Sequence, residues 1–291
     1  MPLTKSKPNH LNVRLIGILR TKPGTSAVNA INAIQAAFDA GAEAVEITSN
    51  SDHWQEVVDK CVKQNLNIGV GSIKNKALAE EAINHGAKFL VSAGFFEETI
   101  VVANTHHTPI LPGVFTDPNF KQAIDLKISD TKFFPANANT HEELFKAIRE
   151  PFRDEFDELI KKGWQIVHFS NLDSEIVVKS PTQFYKLYLE IKNKKPNSQI
   201  VIKLPDEKVG FQRLKDFAGG LSGHGIRTYA VGGVNDKNMK DVLTKYGAYG
   251  ACPGSGMFNS DAILAGDFER VKADVSKHVA IIKELFVEKG V

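Results

Sequence analysis

Cysteine is almost missing from this chain: only Cys61 and Cys252 occur, far apart in sequence, so neither a disulfide framework nor a cysteine metal site is available. Both are expected to be buried small hydrophobes rather than reactive thiols. Charge of one sign is lacking too. The formal net charge is +2, and the lysines are scattered rather than gathered, which leaves no electrostatic footprint for nucleic acid. No window has the apolar length of a membrane span, and the polar start M-P-L-T-K-S-K-P-N-H has no signal-peptide core. A soluble, cytoplasmic protein without a membrane partner is expected. No G-x-G-x-x-G opens a helix after the first apolar run, which argues against a dinucleotide fold.

What is present is a regular alternation. Among 291 residues, 42% hydrophobic, short apolar runs alternate with helical patterns from V-R-L-I-G-I-L at 13–19 onward, the order that builds a parallel sheet. A-V-E-I, N-I-G-V-G-S, F-L-V-S, P-I-L-P-G and the run ending at Lys132 follow, with helices between them. Trp54, Val57, Val58 and Cys61 recur at helical spacing, and Asp52 is the expected N-cap of their helix. After Asn139 the regularity stops. Residues 140–208 mix a charged amphipathic helix (H-E-E-L-F-K-A-I-R-E), further helices and short β-rich runs with their own aromatic residues. This segment is expected to be an inserted α+β lobe. The alternation then resumes through Y-A-V-G-G-V, Y-G-A-C-P-G-S-G and a long C-terminal helix. Eight strands result, predicting a (β/α)₈ TIM barrel of residues 1–139 and 209–291 with a lobe at 140–208, an open doubly wound sheet being the alternative.

In such a barrel the C-terminal strand ends carry the site. The polar residues placed there are Arg20, Glu46, Thr48, Asn50, Ser72, Lys132, Gly232, Gly233, Gly254 and Ser255. Lys132 stands alone in T-K-F-F-P-A, where desolvation favours a neutral, nucleophilic amine able to form a Schiff base. The competing structural reading is a lysine that snorkels to water. Glu46 in A-V-E-I-T is a general acid and base, or else half of a structural ion pair. V-G-G-V and P-G-S-G end the seventh and eighth strands, where small residues let backbone amides cradle a phosphate ester. The adjacent His106 and His107 have no partner spacing for a metal, so no metal site is expected.

Together, I-G-I-L-R, A-G-A-E-A-V-E-I-T-S-N-S, I-G-V-G-S-I, P-I-L-P-G, T-K-F-F-P-A, Y-A-V-G-G-V and P-G-S-G resemble the 2-keto-3-deoxy-6-phosphogluconate and 2-keto-3-deoxy-6-phosphogalactonate aldolases, a family that includes 4-hydroxy-2-oxoglutarate aldolase activity. The resemblance spans the chain apart from the insertion and the extreme N-terminus. It implies a cofactor-free class I aldolase that takes a phosphorylated keto acid to pyruvate and glyceraldehyde 3-phosphate, assembled as a homotrimer. By the same resemblance, Lys132 is the Schiff-base lysine and Glu46 the proton shuttle. Arg20 and Ser72 hold the pyruvate-derived carboxylate, Phe134 lines the pocket, and Gly232, Gly233, Gly254 and Ser255 bind phosphate. Asn50 and Val231 match the galactonate-type pattern, whereas T-K-F-F-P-A matches the gluconate and oxoglutarate branch, so the epimer stays open. Two other readings remain: another phosphate-binding barrel enzyme, or a catalytically silent sugar-phosphate barrel whose lobe contacts a partner protein.

Overall fold

The computed structural model describes residues 9–137, 149–167, 175–178, 181–196, 199–202 and 211–287. Its first half alternates as expected: β1 (Ile16–Leu19), α1 (Ala27–Asp39), β2 (Ala44–Thr48), α2 (Trp54–Lys63), β3 (Ile68–Ile73), α3 (Lys76–Asn84), β4 (Leu90–Ser92), α4 (Glu97–Thr105), β5 (Ile110–Leu111), β6 (Gly113–Val114), α5 (Asp117–Asp125) and β7 (Asp130–Phe133). After the middle segment come α8 (Phe211–Ser222), β11 (Arg227–Val231), α9 (Met239–Thr244), β12 (Gly250–Cys252), α10 (Ser260–Ala265) and α11 (Phe268–Ile282). The strands form two parallel sheets, ordered β1-β2-β3-β4-β5 and β12-β11-β7-β6. Pro112 divides the expected fifth strand into β5 and β6, because proline cannot donate to a ladder. Its carbonyl still accepts from Lys132 N at 2.9 Å, so this broken strand joins one sheet to the other. At the opposite seam, Ala251 N donates to Arg14 O and Ile18 N to Pro253 O, each at 2.9 Å. The arrangement is TIM-barrel-like, with hydrogen bonds thinned at both seams rather than one continuous ladder.

Strand alternation sorts the side chains into two layers. Leu15, Leu19, Val45, Ile47, Leu90, Phe133 and Ala230 face the helices in the largest hydrophobic cluster. Ile16, Ala44, Val91, Leu111, Phe134, Tyr229, Val231 and Cys252 form the inner cluster. Side chains two apart share a face of a strand, so Glu46 shares the inner face with Ala44, and Lys132 with Phe134. The helix carrying Trp54, Val57, Val58 and Cys61 buries all four as the spacing predicts. Its N-cap is not Asp52 but His53, at φ 58° and without a side-chain cap bond. Asp52 instead accepts from Gly24 N at 3.0 Å, tying the loop after β1 to the loop after β2.

The middle segment contains a one-turn 3₁₀ helix (Glu150–Phe152), α6 (Arg153–Lys161), β8 (Ile166–Val167), β9 (Glu175–Val178), α7 (Pro181–Ile191) and β10 (Gln199–Ile202). The charged helix expected at 141–150 lies outside the described residues up to 148, as do both expected ends of the lobe, 140–148 and 203–208. The three strands make a sheet of their own, ordered β8-β10-β9, and every pairing is parallel. The segment was expected to be α+β; its described strands pair in parallel, not in the antiparallel order usual for that class. The helix α7 lies between β9 and β10 and supplies the crossover that their parallel pairing requires. Its cluster joins Phe152, Phe156, Leu159, Trp164, Phe184 and Tyr185 to Phe96 and Phe115, which follow β4 and β6. Phe156 and Phe184 stack at 3.9 Å between centroids. Thr182 Oγ1 accepts from Phe95 N at 3.0 Å, and Tyr185 Oη pairs with Asn75 at 3.2 Å. The segment thus packs on the C-terminal ends of β3, β4 and β6.

Candidate active site

Lys132 lies on β7 between β6 and β11, in register with Gly113 on one side and Tyr229 on the other. It is 5% exposed, and its Nζ stands 4.7 Å from the centroid of the Phe134 ring. Burial pushes its pKa below the ordinary lysine value, opposed chiefly by the nearby carboxylate of Glu46. Glu46, on β2, is 1% exposed. Burial raises its pKa, while the charges of Lys132 and Arg20 oppose the rise. The two groups therefore shift toward each other, and the neutral amine and the protonated carboxyl are both brought nearer to neutral pH. That is the electrostatic requirement for a nucleophile with a proton shuttle beside it. Glu46 Oε2 has no hydrogen-bond partner among the described residues despite its burial. An unpaired buried oxygen is costly for a purely structural ion pair and suits a group that must exchange a proton.

Sequence reading missed what holds Glu46 in place. A Cβ at Gly71 would stand 2.0 Å from Glu46 Oε1, so the carboxylate rests directly against the bare backbone of β3. The G-V-G-S pattern was the available signal, because a glycine in a buried strand marks a close approach. Gly71→Val is expected to displace the carboxylate and depress turnover at least as strongly as loss of the acid itself. Steady-state kinetics beside a thermal melt checks this, and full activity in the variant would contradict the placement. Cys252 is buried on β12 close enough to Glu46 and Lys132 for their charges to bear on its thiol, a neighbourhood the sequence did not reveal. Desolvation raises its thiol well above the usual range, consistent with the expected inert small hydrophobe.

The remaining expected residues lie at or just beyond the C-terminal ends of β1, β2, β3, β11 and β12. Arg20 follows β1, and burial lowers its pKa against the charges of Glu150 and Glu46. Ser72 is buried at φ 60°, a left-handed conformation uncommon for a non-glycine residue, and its carbonyl accepts from Ser49 Oγ at 3.3 Å. Thr48 is buried and pairs with Ser51 Oγ at 3.0 Å. Asn50 donates from Nδ2 to the carbonyl of Glu150 at 3.2 Å. Val231 is buried at the end of β11. Gly232 and Gly233 follow it at φ 88° and 71°. A Cβ on Gly233 would meet Asn137 O at 2.6 Å, so this turn needs glycine both for its backbone angle and for space. Gly254 follows β12, where its carbonyl accepts from Met257 N and Phe258 N, and Ser255 beside it is exposed. The two glycine-rich turns end neighbouring strands, β11 and β12.

A TIM-barrel-like α/β scaffold with a buried lysine and glutamate on its inner face is the class these features define. A family model of KDPG and KHG aldolases matches residues 10–156, and the chain belongs to that family. The KHG/KDPG aldolase of Escherichia coli (strain K12) is 26% identical over 126 residues, covering 43% of this chain and 59% of that protein. A probable 2-dehydro-3-deoxy-6-phosphogalactonate aldolase of Rhizobium meliloti (strain 1021) is 31% identical over 126 residues, covering 42% of this chain and 58% of its own length. The matches thus span less than two thirds of these curated relatives. A solved structure described as native KDPGal superposes with a TM-score of 0.62 at 20% identity, covering 94% of this chain and 97% of the other. At that identity the likeness concerns the fold.

Proposed function

We propose that this chain is a class I aldolase that cleaves a 2-keto-3-deoxy-6-phospho sugar acid to pyruvate and glyceraldehyde 3-phosphate. The observation that carries the reading is the buried pair of Lys132 and Glu46 with opposite pKa shifts on one inner face. Family membership supports the same chemistry. In this mechanism neutral Lys132 attacks the C2 ketone, and loss of water leaves a protonated imine. Glu46, directly or through water, takes the proton of the C4 hydroxyl. The C3–C4 bond breaks, its electron pair passes to the imine, and glyceraldehyde 3-phosphate leaves. The resulting enamine is protonated at C3 and hydrolysed to pyruvate and free Lys132.

Arg20 supplies the guanidinium for the substrate carboxylate, with Ser72 beside it, and Phe134 forms an apolar wall against Lys132. The Gly232–Gly233 and Gly254–Ser255 turns take the phosphate, as their place at neighbouring strand ends supports. The described residues of the middle segment form a lobe over the strand ends, and the contacts of Thr182 and Tyr185 with that face support this. Val231 and Asn50 favour the galactonate epimer.

Turnover of both phosphorylated epimers and of the unphosphorylated acids tests the assignment. Phosphorylated substrate is expected to have a kcat/KM higher by one to two orders of magnitude, since each hydrogen bond to a charged group contributes about 1.5–3 kcal/mol. Equal efficiency on both forms would remove the phosphate site and favour 4-hydroxy-2-oxoglutarate.

A further inference from the structure

Glu150 brings a carboxylate to the site from the middle segment. Its Oε1 lies 3.3 Å from Arg20 Nη1, and its carbonyl accepts from Asn50 Nδ2 at 3.2 Å. One residue thus engages two candidate substrate-binding positions, beyond the ends of β1 and β2. We propose that Glu150 is a built-in competitor for the substrate carboxylate, holding Arg20 until a 2-oxo acid displaces it. The inference rests on the Schiff-base reading and adds to it the way in which the site is regulated.

The geometry favours exchange. The Arg20–Glu150 contact is single and long, whereas guanidinium–carboxylate pairs are strongest as two parallel bonds of about 2.7–2.9 Å. Arg20 Nε is buried and has no partner among the described residues, and neither has Asn50 Oδ1. A substrate carboxylate can take Nε and a terminal nitrogen together, replacing one weak contact with two good ones. The Glu150 side chain is itself 39% exposed, so once displaced it can turn to water. Its backbone is better anchored: Phe152 and Phe156 are fully buried, and Glu155 pairs with Lys74 just beyond β3. The segment therefore stays docked while a single side chain yields, and the apparent affinity for the acid falls by the fraction of sites that Glu150 occupies.

The test is the pyruvate concentration dependence of borohydride trapping in the parent, Glu150→Ala and Glu150→Gln. Removing the competitor is expected to lower the half-saturating pyruvate concentration about fivefold in the alanine variant, corresponding to a site free in about one fifth of molecules. The isosteric glutamine variant should move the same way by less, and maximal trapping should match the parent in both. A cleavage assay should show the same pattern, with a lower KM and little change in kcat. A half-saturation that rises would make Glu150 a positioning residue for Arg20, and an unchanged one would leave it without effect on the site. Either outcome overturns the proposal while the parent still traps pyruvate. A parent that traps none would instead overturn the Schiff-base reading, and this inference with it.

Discussion

Lys132→Met is expected to abolish borohydride-dependent labelling by pyruvate and to bring aldol cleavage below detection, because methionine fills the same volume but offers no amine for the imine. The fold should survive. Lys132 already carries a desolvation penalty in its charged form, and Glu46, left without its counter-charge, can take up a proton since burial has raised its pKa. A cooperative thermal transition near that of the parent, beside absent labelling, is the expected pair of results. In the parent, the pH dependence should follow from the direction of the lysine's shift. Only the neutral amine attacks the ketone, so imine formation should decline as pH falls through a lysine pKa lying below 10.5. An imine-forming limb that titrates at or above the ordinary lysine value would contradict the burial argument.

The second large effect belongs to Glu46→Gln. The amide keeps the size and the contact with Gly71 but cannot accept and return a proton, so C3–C4 cleavage should slow by about 10²–10⁴-fold, the usual worth of a positioned acid–base group. Imine formation with pyruvate should suffer less, since the nucleophile remains. Single-turnover cleavage measured against borohydride trapping separates the two steps. Cleavage at the parental rate would return Glu46 to the role of a structural ion pair. Replacing a carboxylate that burial penalises should also not lower stability: with a raised folded pKa, its destabilising contribution grows as pH rises above the unfolded value.

The parts of this account that were legible in the sequence are those fixed by local period. The apolar runs A-V-E-I-T and T-K-F-F-P-A put Glu46 and Lys132 on strands, and the order of strands and helices then put both near the C-terminal strand ends of one α/β scaffold. The V-G-G-V and P-G-S-G turns were legible as the ends of two neighbouring strands because each follows an apolar run. What stayed hidden depends on contacts between distant segments. Glu150 ends the charged amphipathic run H-E-E-L-F-K-A-I-R-E, which reads as an ordinary solvated helix, and nothing local ties it to Arg20. Gly71 is one of two glycines in its strand, and only the packed structure shows which of them touches Glu46. The capping role given to Asp52 failed because its carboxylate has a tertiary partner, Gly24 N, in place of the first turn of its own helix. Parallel pairing in the middle segment was likewise unreadable, since runs such as E-I-V-V and Q-I-V-I carry β propensity without direction.

The central claim is that Lys132 becomes covalently bound to the keto acid. Incubating the parent protein with pyruvate and borohydride, digesting it and mapping the adduct by mass spectrometry tests this directly. One reduced pyruvate per chain is predicted, confined to the peptide that carries Lys132. An unmodified chain, or an adduct on any other lysine, would contradict it.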